Sequence, residues 1–223
     1  MKSQIFHTGA HEKIENNIRS FLNGYPDFLS SDTVSSTRAT GDAIQHILEQ
    51  NFQDILGNHC KQYSAGFARR AMADLAFTDG ADLYYVVDVK THRLEAKFSM
   101  PNLTSVERLA RFYEEDGHYF VMLMVAYSVG SGVRIRVERV YFVPIEFLSW
   151  GCLTIGALGW GQIQIADANN ILVNHAYSRK KWMLELCELL FEFYPGEIEK
   201  VKGRIDYFMQ VKKRWEEKTD IWT

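Results

Sequence analysis

Two carboxylates and a lysine, Asp74, Asp88 and Lys90, carry the most chemistry per residue in this sequence. Residues 83–90 read as a deeply apolar strand, Leu-Tyr-Tyr-Val-Val-Asp-Val-Lys. An Asp79-Gly80 turn of the hairpin-favouring kind precedes it, and Asp74 opens the strand before that turn. Side chains alternate along a strand, so Asp88 and Lys90 project from one face about 7 Å apart. The hairpin can bring Asp74 beside them. Charges gathered on such a strand cost desolvation energy unless a cation or substrate compensates them. Hard carboxylate oxygens hold Mg²⁺, which keeps several waters and takes further ligands from substrate phosphates. A metal there polarises a phosphoryl group and acidifies its bound water, while Lys90 orients that water or offsets charge on phosphorus. The pattern fits a metal-dependent phosphodiesterase. It also fits an ion pair solvated at the end of the hairpin, because Asp-x-Lys is a common tripeptide. Asp82 is a rival for the first carboxylate but lies in the same strand, six residues before Asp88, and Asp79 sits at the turn tip, too far along. Asp74 is preferred.

The surrounding pattern supplies elements that can hold such a site. Apolar residues at helical spacing predict helices over 11–24, 41–57, from Thr104 or Ser105 to 116, 178–194 and 197–217, with Pro195-Gly196 breaking the last two apart. In the final stretch Ile198, Val201, Ile205, Phe208 and Trp215 read as inward-facing. Residues 119–127 are almost wholly apolar, as in a central strand covered on both faces. Residues 133–143 alternate, and 162–166 make a short strand with alternating polar and apolar residues. Residues 1–10 read as an irregular arm, 25–40 and 91–103 as polar loops, and 151–161 as a flexible Gly-rich stretch. The expected architecture is α/β, a mixed central sheet flanked by helices, in one domain over 1–223. Within it, 1–40 is an arm and helix available to contact DNA or a second subunit.

Composition narrows the class. At 223 residues the chain can build a core without disulfides, and its three cysteines, Cys60, Cys152 and Cys187, are scattered and unpaired, as in a reducing cytosol. No apolar run follows Lys2, so no signal peptide is read, and no stretch reaches the roughly 18 apolar residues of a membrane span. A net charge of −3 argues against indiscriminate polyanion binding without excluding a local nucleic-acid surface.

Outside the acidic triad each candidate has two readings. Lys97 and His92 flank the site and either touch phosphates or form an exposed basic loop. Asn102, after rigid Pro101, either pairs with adenine or caps the next helix. Gln162 and Gln164 either reach bases or pair across a sheet edge. Arg134, Arg136 and Arg139 line one strand face and either lie against DNA or are solvated. Asp42 and Glu49 either add a helix carboxylate near the metals or are plain helix surface, and His46, His59 and His118 read as structural.

Asp74, the hairpin and Val-Val-Asp88-Val-Lys90 together resemble the PD-(D/E)xK motif of type II restriction endonucleases. The run Asp-Val-Lys-Thr-His-Arg, followed by Ser-Met-Pro101-Asn102-Leu, is similar to the EcoRV/HincII-like, blunt-cutting branch, where a Pro-Asn pair and a helix follow the motif at the same distance. SwaI shows a comparable order, and the likeness covers roughly residues 38–210 in order, with sparse identities outside the motif. It implies a restriction-endonuclease-like core, with Asp74 and Asp88 as Mg²⁺ ligands and Lys90 as the catalytic lysine. It places Asn102 at base edges and Ser99 where a glutamine approaches the DNA. Ala73 stands where the motif has proline. The function implied is Mg²⁺-dependent double-strand cleavage of a short palindrome in bacterial cytoplasm. A palindrome calls for a homodimer with one site per strand. The alternatives are a structure-selective repair or recombination nuclease, or a non-enzymatic DNA- or protein-interaction domain.

Overall fold

The computed structural model describes residues 2–25, 33, 36–64, 73–130 and 134–220. Most of the polar loop expected over 25–40, together with residues 65–72 and 131–133, lies outside the described residues. Two compact units are present, residues 1–176 and 177–223. Among the described residues no helix is long and apolar enough to cross a membrane.

The first unit is built on a five-stranded mixed sheet, as its alternation predicts. Its spatial order is β1 (Gln62–Tyr63), β2 (Leu75–Thr78), β3 (Tyr84–Arg93), then β5 (His118–Val129) and β6 (Ile135–Pro144). Every residue from Tyr119 to Tyr127 is buried, so only the interior of the sheet could accept this strand. β3 and β5 run parallel, Tyr84 opposite His118 through Arg93 opposite Tyr127, and the other pairs are antiparallel. A parallel pair needs a crossover. Residues 94–117 make it, carrying β4 (Asn102–Ser105) and, in the expected place, a short helix (Val106–Phe112) whose N-terminus is capped by the Ser105 hydroxyl.

One sheet face is covered by α1 (Gln4–His7), α2 (Ala10–Gly24) and α3 (Thr37–Leu56). The stripes Ile14, Ile18, Leu22 and Ile44, Leu48, Phe52 are buried, as their spacing predicts. α3 starts earlier than expected, with Ser36 accepting from the Ala39 N–H. Gly41 is required in it, because a Cβ there would lie 2.8 Å from the Thr91 hydroxyl of β3. The arm expected at the N-terminus is instead part of the core. Phe6 packs among Tyr85, Tyr119 and Phe142, and the Ser3 N–H donates to the Tyr119 hydroxyl. Two apolar residues are too few to show a period, so only tertiary packing reveals their role.

A second, three-stranded sheet has the order β4, β8 (Gln162–Ile165), β7 (Leu153–Gly156). It absorbs the end of one expected loop and part of the expected flexible stretch. Gly159 and Gly161 turn the β7–β8 connection with φ of 61° and 119°.

The β2–β3 hairpin differs from the two-residue turn its Asp-Gly suggests. Thr78 pairs with Tyr84, leaving five residues between them. Asp79 is the reason. Its carboxylate is buried and accepts from the Ala81 and Leu83 N–H groups and the Tyr85 hydroxyl. Asp82 is in this turn at φ 59°, not in the strand, and pairs with Lys61 in solvent.

The second unit is one helix, which we number α5 after the short α4 (Val106–Phe112); it spans Arg179–Glu216 and is capped by Ser178. Pro195 lies inside it rather than ending it. Ile198, Val201, Ile205, Phe208 and Trp215, expected inward, are all exposed.

Removing the Asp79 carboxylate leaves buried donors without an acceptor, so Asp79→Ala is expected to cost about 2–4 kcal/mol. Asp82→Asn keeps the left-handed turn and loses only a solvated ion pair, for a change within about 0.5 kcal/mol. Urea unfolding of both variants measures the contrast, and equal losses would contradict these assignments.

Candidate active site

β2 is shorter than the strand it borders. Its register ends with Leu75 opposite Val87, and Asp74 takes over at that edge. The Asp74 N–H donates to the Val87 carbonyl at 3.0 Å, and its Oδ2 accepts from the Val89 N–H at 2.7 Å. A carboxylate thus stands where a strand carbonyl would be. The N–H and C=O of a strand residue point to the same side, so the Val89 carbonyl lies along this edge too.

Asp88 and Lys90 project from the face opposite α1–α3, level with Met122 and Met124 of β5. Asp88 is 5% exposed. Its Oδ1 accepts from Lys90 Nζ at 2.6 Å, closer than strand spacing alone suggests because the lysine stem folds back. Its Oδ2 is buried and has no hydrogen-bond partner among the described residues. Lys90 keeps partial access to solvent, with 22% of its side chain exposed.

α3 contributes Gln45, which the sequence reading missed. Gln45 Nε2 donates to Asp74 Oδ1 at 3.0 Å and to Glu49 Oε1 at 3.1 Å. Of the two readings of Glu49, helix surface or an extra carboxylate near the site, the structure favours the second, and Tyr63 anchors its turn by donating to its main-chain carbonyl. The signal was present: Gly41, Gln45 and Glu49 recur every four residues, the row of one helix face. It is legible only once Gly41 is known to meet Thr91.

Burial dominates the electrostatics. It raises Asp74 above the usual carboxylate range, against the opposing Val89 N–H and Lys90. It pushes Asp88 up to about 7, and the ammonium of Lys90 only partly offsets it while the charge of Asp74 adds to it.

The expected DNA-contacting residues fall elsewhere. Asn102 opens β4 opposite Gln164 of β8, whose amide donates to the Asn102 side chain; both face the surface of the second sheet, and Asn102 is no helix cap. Gln162 lies at the other end of β8, opposite Ser105. Ser99 accepts from the Ala168 N–H through its carbonyl, and Lys97 is exposed. His92 is not on an exposed loop: it is 2% exposed near the end of β3, with Nε2 2.9 Å from Asn169 Oδ1. Arg134, Arg136 and Arg139 are exposed, and Arg136 pairs with Glu138.

Among the described residues no group of three or more His, Cys, Asp or Glu side chains is set to hold a metal ion. Two carboxylates are nonetheless enough protein ligand for Mg²⁺, which retains water and binds through one or two of them. The orphaned Asp88 Oδ2 fits such a cation. A cavity of about 330 Å³ between α2 and β6 is lined by residues that include His11, Glu15, Arg139 and His175 and by none of Asp74, Asp88 and Lys90. The chain matches no protein-family model and no curated protein sequence.

Asp88 protonates near pH 7 when folded but at its ordinary value of 3.8 when exposed. The folded state therefore holds an extra proton between those values, and this contribution to stability is lost as pH rises from about 4 to 7. Asp88→Asn removes the titration. Its stability relative to the parent should climb across that window and level off above it, with Tm gaining about 2–4 °C per kcal/mol relieved. A pH-independent difference between the two proteins would refute the burial argument.

Proposed function

We propose that the chain is a Mg²⁺-dependent type II restriction endonuclease, a homodimer of the bacterial cytoplasm that cuts both strands of DNA at a short palindrome and leaves blunt ends. The observation that supports this most is Asp88 Oδ2, a buried carboxylate oxygen without a partner beside a lysine and a second carboxylate. Such an atom is costly to keep and is accounted for by a cation.

Asp74 and Asp88 would hold Mg²⁺, with the Val89 carbonyl on the same edge. Bound there, the ion supplies a water of lowered pKa and polarises the scissile phosphoryl group. The remaining work falls to the chain itself. Gln45 holds the Asp74 carboxylate in orientation through Oδ1. Lys90, partly open to solvent, turns its ammonium toward the phosphate, where it positions the attacking water or offsets charge growing on phosphorus. In-line attack leaves a 5′-phosphate and a 3′-hydroxyl. Asn102 and Gln164, side by side on the second sheet, present amides of the kind that pair with adenine edges.

Purified protein with Mg²⁺ should convert plasmid DNA into discrete fragments. Asp88→Ala and Lys90→Ala are each expected to lower cleavage at least about a hundredfold while the far-UV circular dichroism is kept. Full activity in either variant would reject the proposal. Cleavage confined to branched substrates would point instead to a structure-selective nuclease.

A further inference from the structure

α5 carries two apolar rows at seven-residue spacing. Leu184, Phe191, Ile198 and Ile205 form one; Cys187, Tyr194, Val201, Phe208 and Trp215, three residues on, form the other. This is the a/d pattern of a coiled-coil seam, sustained over roughly 47 Å of helix. The seam faces solvent: Phe191, Phe208 and Trp215 are each about two-thirds exposed, at 67%, 64% and 65%. The residues least suited to a helix stay off it. Gly196 and Gly203 fall at f, opposite the seam, and Pro195 falls at e.

From residue 198 onward nearly every side chain of α5 is exposed. A helix with an internal proline and two glycines is not sustained by intrinsic propensity, and helices in proteins gain most of their stability by burying an apolar face. Something must cover this one. Its charges say what. Between 183 and 199 the only charged residues are five glutamates, Glu185, Glu188, Glu192, Glu197 and Glu199. Between 200 and 214 six bases face a single acid, Asp206. Over 183–214 the helix is thus acidic in its first half and basic in its second, which complements a reversed copy and repels a parallel one; Arg179, Lys180 and Lys181 lie before that span and Glu216 after it.

We propose that α5 pairs with α5 of a second copy of this chain as an antiparallel coiled coil. A two-fold axis between residues 199 and 200 sets each a residue against a d residue. Leu184 meets the partner's Trp215, Phe191 meets the partner's Phe208, and Ile198 meets the partner's Val201. On the flank, Glu197 meets the partner's Arg204. Four aromatics per copy, each able to bury on the order of 150 Å², approach the roughly 800 Å² per partner of a stable interface. The pairing supplies an interface for the homodimer proposed above, yet it rests on α5 alone, and its test uses neither DNA nor metal.

The full chain at tens of micromolar should sediment as a dimer. Val201→Glu with Phe208→Glu, both at exposed positions, should sediment as a monomer whose first unit keeps the thermal transition of the parent. Orientation is read from Cys187, which is exposed and lies opposite the partner's Lys212 in the antiparallel pair but opposite itself in a parallel one. Under mild oxidation Lys212→Cys should yield a disulfide-linked dimer through Cys187, and the parent should yield none through Cys187. A monomeric parent, or a dimer that survives the two glutamates, overturns the seam. A Cys187–Cys187 link in the parent overturns the antiparallel arrangement.

Discussion

A carboxylate buried in the middle of a sheet constrains the whole of the first unit. Asp88 lies on β3 one residue past the end of its pairing with β2 and opposite Met122 of β5, whose residues 119–127 are all buried, so little around it can solvate a charge. Lys90 answers one of its oxygens and nothing among the described residues answers the other. Replacing a buried ion pair with apolar side chains is often neutral or stabilising, so the pair is not there for stability. The nuclease proposal assigns that cost to catalysis.

The neighbouring groups are arranged around that cost. Asp74 is satisfied by a backbone N–H and by Gln45, so its orientation is set before any ligand arrives. The close approach of α3 that brings Gln45 into range depends on Gly41 against Thr91. The parallel pairing of β3 with β5 demands a crossover, and the segment that provides it also carries Asn102 into a second sheet beside Gln164. One topological necessity thus links the charged edge to an exposed pair of amides.

Charge at the surface and charge in the interior are treated differently along the chain. Asp82 and Lys61 meet in solvent, where such a pair contributes little. Asp79, three residues earlier, is buried and widens a hairpin that its sequence alone would close in two residues. From residue 198 onward almost every side chain of α5 is exposed, and the division of acids from bases shapes what the helix can accept.

The sequence by itself determined what short-range periodicity encodes: the α/β class, the buried central strand at 119–127, the stripes of α2 and α3, and the gathering of Asp74, Asp88 and Lys90 by one hairpin. Each depends on residues a few positions apart or joined by a single turn. Tertiary structure decided what depends on distant partners. Ser3 and Phe6 enter the core through Tyr119, more than a hundred residues on. Gln45 reaches Asp74 across 29 positions, and Asn102 finds Gln164 across 62. Local pattern also marked the apolar rows of α5, but not that they would be left exposed. A period shows that a face must be buried; only packing shows whether the chain itself has anything to bury it with.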